Sequence, residues 1–178
     1  NVATFEHKKA QDVLVDAFAL VATRDPDVRL VLVGRATPWL EEIRQRAASL
    51  GLAHRVHFFD DVPHYQVLTF LTHASVFCLP SRAEGHPVAI LEAAALGLPI
   101  VSTPVGGIAQ TIPDDSHGLL VPVGDVPALA DAVCRLLADP GYAGADHREG
   151  CTQLVARVGG ELALALEGRP NGREGASG

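Results

Sequence analysis

The chain has 178 residues, of which 48% are apolar and 20% charged, and this length and composition suffice for one compact domain with a full core. Its formal charge of −7 excludes an overall positive field that would gather nucleic acid or an anionic membrane surface, so we expect no nucleic-acid partner. A membrane span is also excluded, because it needs roughly 18 uninterrupted apolar residues, and Glu92, Gly97 and Pro99 interrupt the longest candidate.

The first strong pattern in chain order is an amphipathic helix that begins after Lys9. Its apolar residues recur at the spacing of one helix face: Ala10, Val13, Leu14, Ala17, Phe18 and Val21. A run of mainly branched aliphatic residues at 28–33 follows and predicts a strand buried on both sides. The short apolar segment 2–5, before the helix, predicts one further strand.

The alternation of strand and helix then continues along the chain. Further strands are predicted at 56–59, 76–79, 100–102 and 118–121, and further helices at 40–50, 67–74, 88–96, 106–112 and after a capping Asp125. From residue 28 onward each strand begins 18 to 28 residues after the previous one, a spacing typical of right-handed βαβ crossovers. We therefore expect an α/β fold of Rossmann-like type, with a doubly wound parallel sheet and helices on both faces.

The domain organisation follows from where this alternation stops. Residues 1–140 are predicted to form the Rossmann-like domain, 141–167 a C-terminal helical extension, and 168–178 a disordered tail. The chain contains no methionine and begins at Asn1, so we interpret it as a fragment or one excised domain. Its polar opening also predicts no signal peptide.

The cysteines and histidines predict no metal site and no disulfide framework. Cys78, Cys134 and Cys151 are odd in number and widely spaced, and the eight histidines are scattered without a ligand motif. We therefore expect a reducing compartment, the cytoplasm, in which the full-length protein could also lie peripherally at the inner face of a membrane.

Most of the unusual residues follow predicted strands, and in an open parallel sheet ligands bind outside the carboxyl ends of the strands. The polar and glycine positions at this edge are Lys8, Lys9, Gly34, Arg35, Asp60, Asp61, Ser81, Arg82, Glu84, Gly85, His86, Thr103, Gly106 and Gly107. The alternative for any one of them is an ordinary polar loop residue, because loops lie on the surface.

The sharpest local signal is the segment 81–97. Pro87 favours the start of a helix, so the amides of Gly85, His86 and Val88 can point outward and bind an oxyanion or phosphate. Glu92 lies inside an otherwise apolar helix, where a lone carboxylate needs hydrogen-bond donors or a cation, and a pair of ligand hydroxyls would serve. The alternative for Glu92 is a partner such as Lys9 or Arg82, or a helix face wetter than the pattern suggests.

Glycine motifs narrow the class of ligand. Gly106 and Gly107 can form a second amide nest for anions between a strand and a helix, although a tight turn would use the same residues. No GxGxxG follows a strand, and the sequence has no GxxxxGK[ST], which disfavours the usual dinucleotide fold and excludes a P-loop.

A resemblance to a known family rests on several segments in a fixed order. They are HKKAQDVLVDAF, RLVLVG, VHFFDDV, LPSRAEGHPVAILEAAALGLPIVSTPVGGI, GLLVPVGD and RLLADP, and the fourth contains an E-x7-E pair formed by Glu84 and Glu92. Together they cover about residues 1–140, and this part of the chain resembles the C-terminal, donor-binding domain of GT-B glycosyltransferases, particularly family 4.

The resemblance implies roles for individual residues. Glu84 would bind hydroxyls of the donor sugar and Glu92 the ribose hydroxyls, while Lys9 would contact the diphosphate. The implied catalytic residues are Lys9 and Glu84, and the implied donor-binding set is Gly85, His86, Pro87, Val88, Glu92, Gly106, Gly107, Arg35 and Arg82. Two positions depart from the family pattern, with Thr4 in place of an arginine and Gln110 in place of a glutamate.

The resemblance further implies a reaction in which a hexosyl group moves, with retention, from a nucleotide diphosphate sugar to an acceptor hydroxyl. The expected partners are this donor, an acceptor glycan, lipid or small molecule, and an N-terminal acceptor-binding domain that this chain lacks, so the chain alone should bind donor but transfer little. Helix-end amides and Lys9 would stabilise the leaving diphosphate in place of a metal, and no cofactor is expected. The alternatives are a sugar-nucleotide epimerase, a non-catalytic nucleotide-sugar binding module and, more distantly, a receiver-like domain.

Overall fold

The fold is an alternation of helices and parallel strands, seen in a computed structural model that describes residues 1–85 and 87–139. A 3-10 turn, His7–Lys9, comes first. The helices are α1 Gln11–Arg24, α2 Pro38–Ser49, α3 His64–Thr72, α4 Val88–Ala95, α5 Ile108–Thr111 and α6 Val126–Ala138. The strands are β1 Leu30–Gly34, β2 Val56–Asp60, β3 Phe77–Leu79, β4 Ile100–Ser102 and β5 Leu119–Leu120. The α/β prediction is confirmed, and Asp125 caps α6 by accepting from the amide of Ala128 at 2.9 Å.

The strands form two parallel sheets, β1 with β2 and β3–β4–β5. Residues 1–5 contact both: the amides of Ala3 and Phe5 donate to the carbonyls of Val33 and Arg35, and Asn1 Nδ2 donates to the carbonyl of Cys78 at 2.7 Å. These residues form one isolated parallel bridge, Val2 to Val33, where a regular strand over 2–5 was predicted. Their backbone hydrogen bonds go only to β1 and to Arg35, the residue after it, and they are too few to form a regular strand.

Gly34 permits the close approach of this N-terminal segment to β1. A Cβ at position 34 would collide with the carbonyl oxygen of Ala3. Glycine is therefore required by the neighbouring backbone, which carries the chain on to the 3-10 turn at the carboxyl edge of the sheets.

The apolar core has two layers, one on each face of the sheets. The first includes Val15, Leu32, Ile43 and Leu129 and joins α1, α2 and α6 to β1. The second, smaller layer joins α3, α4 and α5 to β3 and β4, with Leu71, Phe77, Ile90, Ile100 and Ile108 among its buried residues. Helices therefore cover both faces, as the doubly wound prediction requires.

Three of the sequence predictions fall on residues after 139, which the structure does not describe. The helical extension at 141–167, the tail at 168–178 and Cys151 lie outside the described residues.

Within the described part, Cys78 and Cys134 are free thiols, and burial raises the pKa of Cys78 to about 11, which keeps that thiol protonated at neutral pH. None of the helices in the same part is both long and apolar enough to cross a bilayer.

Candidate functional site

The two consecutive lysines that follow residues 1–5 have different environments. Lys8 is exposed and pairs with Glu6 at 2.9 Å, a contact that raises the pKa of Lys8 and lowers that of Glu6. Lys9 turns inward, and its ammonium group donates to both carboxylate oxygens of Glu84 at 2.7 Å. The structure thereby selects Lys9 as the cation of the site, whereas Lys8 is a surface charge.

Glu84 is the most buried charged group at this edge. Its side chain is 5% exposed and that of Lys9 17%. The hydroxyl of Ser81, itself fully buried, donates to Glu84 Oε1 at 2.6 Å. Burying a carboxylate is costly unless donors satisfy it, and here an ammonium and a hydroxyl do so. Lys9 and Glu84, which the resemblance assigned to separate parts of the donor, form one pair in the structure.

Two loops at the carboxyl edge, β3–α4 and β4–α5, are held together by further hydrogen bonds. The hydroxyl of Thr103, after β4, donates to the carbonyl of Ser81, after β3, at 2.6 Å. The amide of Gly107 donates to the carbonyl of Gly85 at 3.2 Å. The Gly107 amide is therefore engaged within the protein here, rather than pointing into an open anion nest as the sequence predicted.

Gly106 is required by both its conformation and its surroundings. Its φ is +55°, and a Cβ at this position would collide with the carbonyl oxygen of Glu84. A glycine at 106 thus lets the β4–α5 loop pack against the residue that carries the buried carboxylate.

Arg82 binds within the protein. Its guanidinium makes a bidentate salt bridge to Asp12 on α1, with distances of 2.9 and 2.7 Å, and also donates to the carbonyl of His7 at 2.6 Å. Its own amide donates to the carbonyl of Lys8 at 2.7 Å. Sequence analysis missed Asp12, although a carboxylate three residues after Lys9 in the first helical turn is a signal that could have found it.

Glu92 lies on α4 with its side chain 21% exposed. Its Oε1 atom is 3.5 Å from Nε2 of His64, an exposed residue at the start of α3, and this distance is longer than a hydrogen bond. Lys9 and Arg82, the predicted alternative partners of Glu92, bind Glu84 and Asp12 instead. The carboxylate is accordingly accessible to a ligand.

The helix start after Glu84 is exposed on one side. Gly85 and Val88 are exposed, Pro87 immediately precedes α4, and the first amides of a helix have no partner within it. His86 lies outside the described residues, so its predicted contact stays a prediction. Arg35 is exposed after β1 and contributes weakly to lowering the pKa of Glu6, which is lowered chiefly by the hydrogen bond from Lys8.

The opposite, amino edge of the sheets has a cavity of about 430 Å³. Its lining is mainly apolar and includes Phe18, Val21, Val31, Val76 and Leu137, but none of the predicted donor-binding residues.

Over residues 1–85 and 87–139, no three His, Cys, Asp or Glu side chains are grouped as a metal site would require. The expectation of a metal-independent reaction stays a prediction.

The doubly wound parallel fold is that of the C-terminal domain of GT-B glycosyltransferases. Residues 1–139 match the family model described as "Glycosyl transferases group 1", and the chain belongs to this family. The resemblance stated from the sequence is thereby confirmed.

Individual relatives are similar over most of this chain. The GDP-mannose-dependent alpha-(1-6)-phosphatidylinositol monomannoside mannosyltransferase of Mycolicibacterium smegmatis is 35% identical, covering 94% of this chain and 47% of its own length. Sucrose-phosphate synthase from Thermosynechococcus elongatus is 31% identical with a TM-score of 0.74, covering 93% of this chain and 45% of that one. The chain spans between 33% and 47% of the length of the curated relatives to which it is similar.

A single-domain structure matches most of its own length. The C-terminal domain of a glycosyl transferase group 1 family protein from Francisella tularensis has a TM-score of 0.78 at 22% identity, with 88% of this chain and 83% of that chain covered. At this identity the match establishes the fold alone.

Proposed function

We propose that this chain is the donor-binding domain of a retaining glycosyltransferase that moves a hexosyl group from a nucleotide diphosphate sugar to an acceptor hydroxyl. The observation that carries the proposal is the Lys9–Glu84 pair, a buried cation and carboxylate held by Ser81 at the carboxyl edge. Family membership supports it, as does the donor of the Mycolicibacterium smegmatis relative, which its name gives as GDP-mannose.

Hydrogen-bonding capacity explains how the pair could receive a donor without separating. An ammonium has three N–H donors, and Lys9 directs two of them at Glu84, which leaves one for a phosphate oxygen. A carboxylate has about four acceptor sites, and Glu84 uses three of them for Lys9 and Ser81, which leaves one for a sugar hydroxyl. Donor sugar and diphosphate would thus meet at adjacent atoms of one pair.

The chemical step requires negative charge to develop on the departing diphosphate. Lys9 and the first amides of α4, after Pro87, would stabilise this charge, and Glu92 would accept from the ribose hydroxyls. We propose that no metal takes part, and turnover of the complete enzyme should persist after dialysis against a chelator. Acceptor binding and the remaining catalytic groups would come from an N-terminal domain, in a cytoplasmic enzyme able to lie at a membrane surface.

A binding screen tests the proposal on this chain. Titration calorimetry with GDP, UDP, ADP and their sugars, GDP-mannose first, should show one nucleotide that binds. Glu92→Ala should then weaken its binding about tenfold, because a charge-assisted hydrogen bond to ribose is lost. Glu42→Ala, which removes an exposed carboxylate from α2, is the matched control and should leave affinity unchanged. Failure of every nucleotide to bind would refute the proposal.

Turnover by the complete enzyme separates the alternatives. A transferase requires an acceptor and forms a glycoside, whereas an epimerase inverts the free nucleotide sugar without one. A binding module gives a binding isotherm and no product. NMR of the sugar anomeric proton with and without acceptor distinguishes the three.

A further inference from the structure

We propose that Arg82 and Asp12 are positioning residues for Lys9, in place of the direct donor contact predicted for Arg82 from the sequence. Their salt bridge would clamp the 3-10 turn His7–Lys9 to the β3–α4 loop, so that Lys9 reaches Glu84 and the diphosphate together. This inference rests on the function proposed above, because it names the residues that set the geometry of that same site.

The contacts of Arg82 surround the lysine turn. Its guanidinium donates to Asp12, in the first turn of α1, and to the carbonyl of His7, while its amide donates to the carbonyl of Lys8. Arg82 therefore contacts the chain on both sides of Lys9, and it lies two residues before Glu84 in the same loop. One residue thus connects the segment that carries the cation to the segment that carries the carboxylate.

The lysine turn needs such a clamp because its backbone is strained. Ala10, which joins the turn to α1, has φ of 53° and ψ of 38°, the left-handed conformation. This conformation costs a residue with a Cβ about 1–2 kcal/mol, and it persists only where surrounding contacts impose it. Without them, relaxation of Ala10 would change the direction in which Lys9 leaves the turn.

The clamp is an ion pair at neutral pH. Burial pushes the pKa of Asp12 upward, but the hydrogen bonds and charge of Arg82 outweigh it and hold the pKa below its usual value. The two side chains are 27% and 19% exposed, so water screens them less than it screens the pairs on the outer surface.

The same helix provides a matched control. Asp16, one turn after Asp12 on α1, makes a bidentate salt bridge to Arg46 on α2, with distances of 2.6 and 2.5 Å. This pair joins α1 to α2, and the charge of Asp12 acts on Arg46 only at longer range, without a hydrogen bond. Asp16→Asn therefore removes the same type of interaction from the same helix while the hydrogen bonds between Asp12 and Arg82 stay in place.

The experiment measures how Asp12→Asn, Arg82→Gln, the double variant and Asp16→Asn bind a nucleoside diphosphate and the corresponding monophosphate. The nucleotide is whichever of GDP, UDP and ADP the unaltered chain binds most tightly. We expect Asp12→Asn to weaken diphosphate binding about tenfold and monophosphate binding much less, because Lys9 is placed for the diphosphate. The double variant should be no weaker than Arg82→Gln alone, and Asp16→Asn should bind normally.

Three outcomes would overturn the proposal. Equal effects of Asp12→Asn and Asp16→Asn would show that the pair does not act on the site. Equal losses for diphosphate and monophosphate would indicate a general structural role. A loss for Arg82→Gln far beyond that for Asp12→Asn would show that Arg82 itself contacts the nucleotide. Unfolding temperatures of all variants identify any change that comes from instability.

A measurement without ligand separates this proposal from the proposed function. Hydrogen–deuterium exchange of the segment 6–12 should accelerate in Asp12→Asn and stay unchanged in Asp16→Asn. Absence of acceleration would refute the clamp even if nucleotides bind. If no nucleotide binds to the unaltered chain, the proposed function is refuted. The exchange measurement would then still decide whether Arg82 and Asp12 hold the turn in place, but the turn would have no role in donor binding.

Discussion

The two edges of the sheets each contain an arginine that joins distant parts of the chain, yet the two arginines have different partners. At the amino edge, Arg55 donates only to main-chain carbonyls, those of Ala22, Asp25 and Val28. At the carboxyl edge, Arg82 pairs with the carboxylate of Asp12 beside a second ion pair, Lys9 with Glu84. The arginine of the amino edge therefore supplies hydrogen bonds to main-chain carbonyls, whereas the arginine of the carboxyl edge belongs to a cluster of two ion pairs.

This difference predicts which substitutions should change only the stability of the domain and which should also change ligand binding. A guanidinium that donates to main-chain carbonyls satisfies their hydrogen-bonding capacity, and we expect no effect of it on ligand binding. Paired charges with unused donors and acceptors can receive a charged substrate. Changes at the amino edge should lower the free energy of unfolding alone, and changes at the carboxyl edge should also affect the nucleotide sugar.

The largest effect is expected from Lys9→Ala in the complete enzyme. Loss of one charge that stabilises a departing diphosphate should slow turnover by about 100- to 1000-fold, or about 2.7–4 kcal/mol of barrier. Steady-state kinetics measures this, and Lys8→Ala is the control, because the Lys8 ammonium is exposed and pairs with Glu6 rather than with Glu84. Equal rates for the two variants would assign the role to another cation. Thermal unfolding should accompany the kinetics, since Lys9→Ala leaves Glu84 without its cation.

The next effect is expected from Gly106→Ala, compared with Gly124→Ala. Both glycines have positive φ, +55° and +76°, so alanine strains both by about 1 kcal/mol. At 106 the new Cβ would also collide with the Glu84 carbonyl, whereas at 124 nothing lies within 4 Å. Urea unfolding should show a loss of about 2–3 kcal/mol for Gly106→Ala against about 1 kcal/mol for the control. Similar losses at both sites would show that the loop yields easily.

Arg55→Ala tests the amino edge. Removing its guanidinium leaves three carbonyls without that donor and should lower the free energy of unfolding by about 2 kcal/mol, with nucleotide affinity unchanged. Urea unfolding and calorimetry on the same preparation measure both quantities. A weaker affinity at full folding would contradict the separation between the two edges.

The smallest effect concerns the pH dependence of stability. Hydrogen bonds from Ser116 and then His117 lower the pKa of Asp114 to about 2, from an ordinary value near 3.8. A lowered folded-state pKa adds stability that is present above about pH 4 and lost as the pH falls toward 2. Asp114→Asn should therefore lower the unfolding temperature slightly at pH 6, with the difference vanishing near pH 2.

Sequence patterns predicted the alternation of elements closely, because periodicity reports which faces are buried. Strand β4 at Ile100–Ser102 agrees with its predicted range, and α4 differs by one residue. The segment 2–5 was predicted less well. A short apolar run specifies an extended chain, whereas strand assignment depends on which neighbours supply its hydrogen bonds.

The site was predicted as a set of residues at one edge, and tertiary structure decided their partners. Sequence placed Lys8, Lys9 and Glu84 after the carboxyl ends of strands, because parallel topology fixes which loops share an edge, and it placed Glu92 in the helix that follows. Residue patterns alone did not distinguish Lys8 from Lys9, which only the resemblance separated, and they did not find the partner of Arg82. Asp12 and Arg82 are 70 residues apart, and a salt bridge at that separation exists only after the sheets and α1 bring the two loops together.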